Sequence, residues 1–116
     1  MVLNDPFQQQ RLNEFPEQLI VNEYQAGQGI SAHVDCEPCF KDTIVTVSLG
    51  STYEMDFISL ESGDVCSTLL KPGSALVLRG AGRYQWMHRI KARKSDRGVP
   101  RGRRVSLTYR NVILDS

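Results

Sequence analysis

Two histidines and one aspartate stand out in this sequence as the side chains best suited to hold a metal ion. His33-Val34-Asp35 sets an imidazole and a carboxylate two residues apart, and in an extended segment positions i and i+2 project to the same side. The other histidine, His88, follows in an aromatic, strand-like segment, Tyr84-Gln85-Trp86-Met87-His88. Two imidazoles and a carboxylate make the facial set that binds non-haem Fe(II) and leaves coordination positions open for a co-substrate and O₂. An H-x-D tripeptide is common by chance. The second histidine on a β scaffold is what gives it weight.

A second constellation suits an anion. Arg104 and Arg110 are an even number of positions apart in the last apolar segment. Both therefore share one strand face with Ser106 and Thr108, while Val105, Leu107 and Tyr109 take the other. A guanidinium inside a barrel is costly unless paired, and its fork matches a carboxylate, so a dicarboxylate co-substrate would justify the pair. The bland reading is an exposed edge strand with two solvated arginines. Asn22 and Tyr24 also share a face, and an amide and a phenol can hydrogen-bond carboxylate or keto oxygens without adding charge.

The elements that must position these groups read as strands. Residues 18–24, 43–49, 53–58, 75–79 and 103–114 are short, rich in β-branched and aromatic residues, and separated by Gly, Pro, Asn, Asp or Ser, the spacing of an all-β sandwich or barrel. A weak helical candidate covers 6–14. Residues 91–102, KARKSDRGVPRG, read as an exposed basic loop where a substrate would make contact. With 116 residues, 41% hydrophobic and 23% charged, the expectation is a single domain over 1–116. No apolar run approaches the roughly 20 residues of a membrane span, and the start MVLNDPFQQQR lacks the pattern of a secretory signal. Three cysteines, Cys36, Cys39 and Cys66, are too few for a disulfide framework and are expected as free thiols in a reducing, cytoplasmic setting. The net charge of +1 is uneven: residues 79–104 hold ten Lys/Arg against Asp96 alone, a net +9 that leaves −8 for the rest. Such a block is either a footprint for phosphates or a solvated loop.

Taken together, these segments resemble the AlkB family of Fe(II)/2-oxoglutarate dioxygenases. The likeness lies in N-E-Y-Q-A-G-Q-G-I-S-A-H-V-D (22–35), I-V-T-V-S-L-G (44–50), G-R-Y-Q-W-M-H (82–88) and R-R-V-S-L-T-Y-R (103–110), in the family's order over roughly residues 18–113. The resemblance implies a double-stranded β-helix, a jelly-roll-like barrel, with His33, Asp35 and His88 as catalytic iron ligands and 2-oxoglutarate and O₂ as co-substrates. It places Arg104 on the distal carboxylate of 2-oxoglutarate, with Asn22 and Tyr24 in support and Arg110 near the keto-acid end or the metal shell. Glu37 is implied on the substrate side. For a nucleic-acid substrate, Arg83 belongs to the basic stretch 79–104 that would track phosphates and Trp86 would stack on a base, against the bland reading of Trp86 as core packing beside His88. The implied partner is nucleic acid carrying a modified base, single-stranded or flipped from its stack, with no membrane and no obligate protein partner. The outcome would be oxidative demethylation or hydroxylation, as in DNA or RNA repair. The 22–30 tract and Met55-Asp56-Phe57 look closest to the branch that hydroxylates the tRNA wobble uridine, and a protein hydroxylase of the same family is an alternative. Family members normally carry an N-terminal lid over the flipped base, whereas this chain begins just before the catalytic core. Ala26 stands where proline is usual and Arg89 where glycine is usual, which bears on substrate choice.

Two readings from other classes compete. A non-enzymatic nucleic-acid-binding β domain would use the basic stretch and bind indifferently to iron. A structural zinc module would use His33, Cys36 and Cys39, completed by His88 or Cys66.

Overall fold

Strands that alternate apolar and polar residues stack two sheets when one face of each enters a common interior. The computed structural model describes residues 17–113, and the order is β1 (Glu17–Tyr24), β2 (Ile30–His33), β3 (Phe40–Gly50), β4 (Tyr53–Ser59), β5 (Val65–Leu70), β6 (Ala75–Leu78), α1 (Ala81–Tyr84), β7 (Trp86–Ile90), β8 (Ser95–Asp96), β9 (Val99–Pro100) and β10 (Arg104–Val112). A major sheet, β1-β10-β3-β6, faces a minor sheet, β2-β7-β4-β5, and β8-β9 form a separate ribbon. Every strand pair is antiparallel. This is the expected double-stranded β-helix. The five strands expected from periodicity correspond to β1, β3, β4, β6 and β10; the helical candidate at 6–14 lies outside the described residues.

Register decides which side chains reach the interior. Across the major sheet Tyr24 sits opposite Arg104, Asn22 opposite Ser106, Ser106 opposite Ser48 and Thr108 opposite Thr46. The inner face of that sheet is therefore a polar lane bordered by aliphatics. The apolar core lies beside it on the minor sheet, where Tyr53, Met55, Leu70 and Ile90 pack with Tyr24, Ile30, Phe57 and Leu76. Burying each such side chain contributes about 1.5–3 kcal/mol. Leu19, Val21, Leu49 and Val77 remain exposed; each is an odd number of positions from the inward residues of its strand, so they lie on the outer face of the major sheet.

Residues 91–102 depart from the expected free loop. Most are exposed, but the segment is stapled by Arg101, whose side chain is fully buried. Its Nε and Nη2 donate to the Asp96 carboxylate at 2.6 and 2.9 Å, and its Nη1 donates to the carbonyls of Lys91 and Arg93 at 2.8 and 2.9 Å. The guanidinium lies 4.4 Å from the Tyr53 ring centre, and the Tyr53 hydroxyl donates to the Gly102 carbonyl at 2.8 Å. A buried guanidinium is tolerated because its rigid fork of donors finds acceptors on several sides.

The basic block is correspondingly engaged within the molecule. Arg89 pairs with Asp56 at 2.9 Å, Arg93 with Glu54 and Asp96 at 2.9 and 2.8 Å, and Arg103 with Glu23 at 3.0 Å. Arg97 also pairs with Glu54. Asp56 and Asp96 are both buried. Burial raises their carboxyl pKa, yet hydrogen bonds from Ser67 and Arg89 to Asp56, and from Arg101 and Arg93 to Asp96, outweigh it and leave both below the usual carboxylate value.

Candidate metal centre

Strand pairing brings the two histidines together. His33 on β2 sits opposite His88 on β7, and Ile30 opposite Ile90, with a register shift between. Three residues on β2 thus span two on β7, a bulge that lets both Ile30 and His33 face inward although they are an odd number apart. Their rings lie 4.3 Å apart, centre to centre. Asp35 follows after β2 has ended, in the connection to β3. The expected convergence of His33 and Asp35 therefore occurs, through a turn rather than along a strand.

The donor atoms of His33, Asp35 and His88 lie within 4.8 Å of one another. Asp35 Oδ1 is 3.2 Å from His33 Nε2 and 3.6 Å from His88 Nε2. His33 Nδ1 lies 2.8 Å from the Ser31 carbonyl. A carbonyl can only accept, so Nδ1 carries the proton and the Nε2 lone pair is left for a metal, the usual second contact of a ligating histidine. Burial, then the charge of His33, pushes the His88 pKa down to about 4, with Asp35 opposing. Its imidazole is neutral at pH 7, as a ligand must be.

Two arginines of β10 bracket this cluster. Arg110 donates from Nη1 to Asp35 Oδ2 at 3.4 Å and from Nη2 to Gln18 Oε1 at 2.9 Å, and lies over the Phe40 ring at 4.0 Å. Asp35 therefore has one oxygen toward both imidazoles and the other toward Arg110. Arg104 is 1% exposed. Its Nη2 donates to Ser48 Oγ at 2.9 Å, Tyr24 hydrogen-bonds it, and its Nε is buried with no partner. Burial pulls its pKa below the ordinary arginine value. A cavity of about 160 Å³ between the sheets is lined by His33, Asp35, His88, Asn22, Tyr24, Arg104 and Arg110, with Ile20, Ile44, Leu76 and Leu78 among its apolar wall.

Seven of the ten residues singled out in the sequence thus converge on one cavity. Glu37 is exposed in the turn before β3, and Trp86 is half-buried on β7 two residues from His88. Arg83 is 2% exposed and reaches backbone carbonyls. None of these three lines the cavity. Ser48 was not anticipated, nor was the Thr46–Thr108 hydroxyl contact of 3.1 Å. The signal was present: Thr46 and Ser48 interrupt the inward face of an otherwise aliphatic strand. The cysteines differ from expectation as well. Cys36 and Cys39 form a disulfide with Cα atoms 5.2 Å apart, across a turn closed by Cys39 N donating to the Cys36 carbonyl at 3.2 Å, while Cys66 is free. A bonded sulfur is not the thiolate that zinc needs, so the zinc alternative loses two of its donors.

The residues fit Fe(II) and a dicarboxylate: an N/N/O donor set with open positions, and a buried guanidinium nitrogen still without an acceptor. An antiparallel double-stranded β-helix with such a cluster between its sheets is the scaffold of a non-haem iron oxygenase. Residues 7–110 match the family described as the 2OG-Fe(II) oxygenase superfamily, and the chain belongs to it, with AlkB-like relatives. It is 44% identical over 81 residues to the tRNA (carboxymethyluridine(34)-5-O)-methyltransferase ALKBH8 of Macaca fascicularis, covering 70% of this chain and 12% of that protein. It is 36% identical over 88 residues to the mitochondrial alpha-ketoglutarate-dependent dioxygenase alkB homolog 7 of Bos taurus, covering 72% of this chain and 40% of that protein. Among solved structures, OsALKBH1 superposes with a TM-score of 0.61 at 25% identity, over 79% of this chain and 46% of the other. The chain thus spans less than half the length of each of these proteins. Among the described residues no helix is long and apolar enough to cross a membrane.

Proposed function

We propose that this chain is the catalytic core of a 2-oxoglutarate- and Fe(II)-dependent dioxygenase that oxidises a modified nucleobase of DNA or RNA. The observation that carries the reading is Arg104. It is a cation 1% exposed, with an unpartnered nitrogen, and it lines the same cavity as His33, Asp35 and His88. A buried charge without an anion is costly, and a dicarboxylate that also reaches the metal supplies the missing partner.

His33, Asp35 and His88 would hold Fe(II), which with 2-oxoglutarate and O₂ supplies the oxidising chemistry. The chain's own residues do the rest. Ser31 fixes the tautomer of His33, and burial keeps His88 unprotonated. Arg110 holds Asp35 Oδ2, so that Oδ1 stays turned toward the imidazoles. Arg104, steadied by Ser48 and Tyr24, takes the distal carboxylate of 2-oxoglutarate, and Asn22 offers an amide beside it. Ile44, opposite Arg110 across the ladder, and Leu78 beside it give the Arg110 end of the cavity an aliphatic wall that excludes water there.

The nucleobase assignment leans on the relatives, one of which is named for uridine 34 of tRNA, so a tRNA wobble base is the first substrate to try. A non-enzymatic binding domain loses support from the pairing of Arg89, Arg93, Arg97, Arg101 and Arg103 with carboxylates of the same chain. Anaerobic titration with Fe(II) and 2-oxoglutarate should produce the weak visible band of the chelate, lost in His33→Ala and weakened in Arg104→Ala. Folded wild-type protein without that band sinks the proposal. Mass spectrometry of modified tRNA and of alkylated oligonucleotides after aerobic turnover then decides the substrate.

A further inference from the structure

Arg83 is a buried cation that the scheme above leaves without a task. It sits in the single helical turn α1, which leads directly into β7 and His88. Its Nη1 donates to the Asp35 carbonyl at 2.8 Å and its Nη2 to the Cys36 carbonyl at 3.1 Å, while its Nε is buried without a partner. It is 2% exposed, and among the described residues no carboxylate pairs with it. Neither an ion pair nor solvent accounts for it, so its two carbonyl contacts are what hold it in place. Resting at 4.7 Å over the Tyr84 ring, the guanidinium is fixed in orientation as well as position.

We infer that Arg83 is a positioning residue of the metal centre: it fixes the backbone from which Asp35 presents its carboxylate and ties that backbone to the strand that carries His88. The inference rests on the metal-centre reading of His33, Asp35 and His88. Asp35 lies outside any strand, so no ladder of backbone hydrogen bonds fixes its main chain. A planar fork can hold two successive carbonyls at once, which sets the direction of the peptide between them; a single donor would leave that peptide free to rotate. The same fork spans from α1 to the connection between β2 and β3, and so couples two of the three proposed ligands. Small displacements of a ligand matter because metal affinity depends on all donors meeting one point.

The experiment uses Co(II), whose visible absorption reports coordination geometry, titrated into the full chain without oxygen or co-substrate. Wild type, Arg83→Met and Arg83→Lys are compared, with melting of each metal-free protein measured alongside. Arg83→Lys keeps the charge but offers one nitrogen where two carbonyls need a fork. The expected result is Co(II) binding at least about ten-fold weaker in Arg83→Met, in line with the ten- to hundred-fold typical of contacts behind metal ligands. Arg83→Lys should bind several-fold more weakly than wild type, with an altered spectrum and a metal-free melting temperature near the wild-type value. If Arg83→Met does not fold, Arg83→Lys decides by the same criterion. Wild-type affinity and spectrum in a folded Arg83 variant overturn the inference alone. Failure of the wild-type chain to bind Co(II) overturns the metal-centre reading and the inference with it.

Discussion

Replacing Arg104 with methionine should weaken co-substrate binding strongly while leaving metal-free stability within about 2 kcal/mol of wild type. Methionine keeps most of the volume and removes the charge. In the protein without 2-oxoglutarate, the substitution gives up the bond to Ser48 Oγ at 2.9 Å and the one to Tyr24, each worth about 1 kcal/mol net. It also removes a guanidinium 1% exposed, with one nitrogen unpartnered and its charged form disfavoured by burial. Exchanging buried charge for a well-packed apolar side chain is neutral or stabilising by about 1–4 kcal/mol. Set against about 2 kcal/mol for the two lost bonds, the metal-free protein ends within about 2 kcal/mol of wild type in either direction, a shift in melting temperature of at most roughly 10 °C. For 2-oxoglutarate nothing offsets the loss. A hydrogen bond to a charged group contributes about 1.5–3 kcal/mol, so losing one weakens binding by about ten- to 150-fold, and losing a bidentate pair weakens it more. Calorimetric titration of 2-oxoglutarate into the Fe(II)-loaded protein under anaerobic conditions measures the second effect, and thermal melts without metal measure the first. A variant that binds 2-oxoglutarate as wild type does, or that loses more than about 2 kcal/mol of metal-free stability, shows the guanidinium to be a structural strut.

Other expected outcomes concern the frame around the site. Asp96→Asn breaks the buried pair with Arg101 and should cost about 3–5 kcal/mol in urea unfolding. Because the folded-state pKa values of Asp56 and Asp96 are depressed, their contribution is complete above the unfolded carboxylate value near 4 and is lost as pH falls further. Asp96→Asn should flatten the stability profile below that pH, and an unchanged slope would contradict the assignment. Gly29→Ala places a Cβ 2.2 Å from the Ile90 carbonyl oxygen and 2.7 Å from Ala92 N; these are backbone atoms, so a loss of several kcal/mol is expected in the same assay, and a loss under about 1 kcal/mol would show that the β2 entry can shift. Reducing the Cys36–Cys39 disulfide opens a loop with a sequence separation of 3, for which chain entropy gives only about 2 kcal/mol; a melt in reductant should fall accordingly, and outright unfolding would contradict the small-loop estimate. Binding of single-stranded RNA should have a shallow salt dependence. Within residues 79–104 Lys91 also reaches Asp56, at 3.9 Å; with Arg79 and Lys94 left for phosphates, about two contacts give a log–log slope near −1.4, and a slope beyond about −5 would mean that the internal ion pairs open on binding.

The sequence carried the strands whose inward residues keep strict alternation and missed those that do not. β1, β3, β4, β6 and β10 each present a regular period over four or more residues. β2 has four residues and a bulge, so Ile30 and His33 share a face against the alternation rule. β5 is exposed from Val65 to Thr68 and buried only at Leu70; as an edge strand it shows no apolar side to read. The ribbon β8-β9 owes its place to Asp96 and Arg101, five residues apart, and to Glu54, some forty residues upstream. No local pattern announces a partner at that distance. The disulfide was missed for a different reason, since cysteine count speaks to redox compartment and says nothing about a turn that brings positions i and i+3 together.

The charged residues divide by the same logic. A count along the chain gives residues 79–104 a net +9, and a one-dimensional sum treats each cation as available. In three dimensions Arg89, Arg93, Arg97, Arg101 and Arg103 face carboxylates of β1, β4 and β8, and Arg89 in particular is drawn to Asp56 directly across the ladder. A substitution that looked like a departure affecting substrate is thus half of a cross-strand ion pair. What the sum could not separate is that Arg83 and Arg104 are buried among carbonyls, hydroxyls and aromatic rings, with no acid among the described residues paired to them. Parity along β10 did mark Arg104 as inward, because Val105 and Leu107 claim the opposite face. Alternation can therefore say that a charge points into a barrel, and only the absence of a partner there says that the barrel expects an anion.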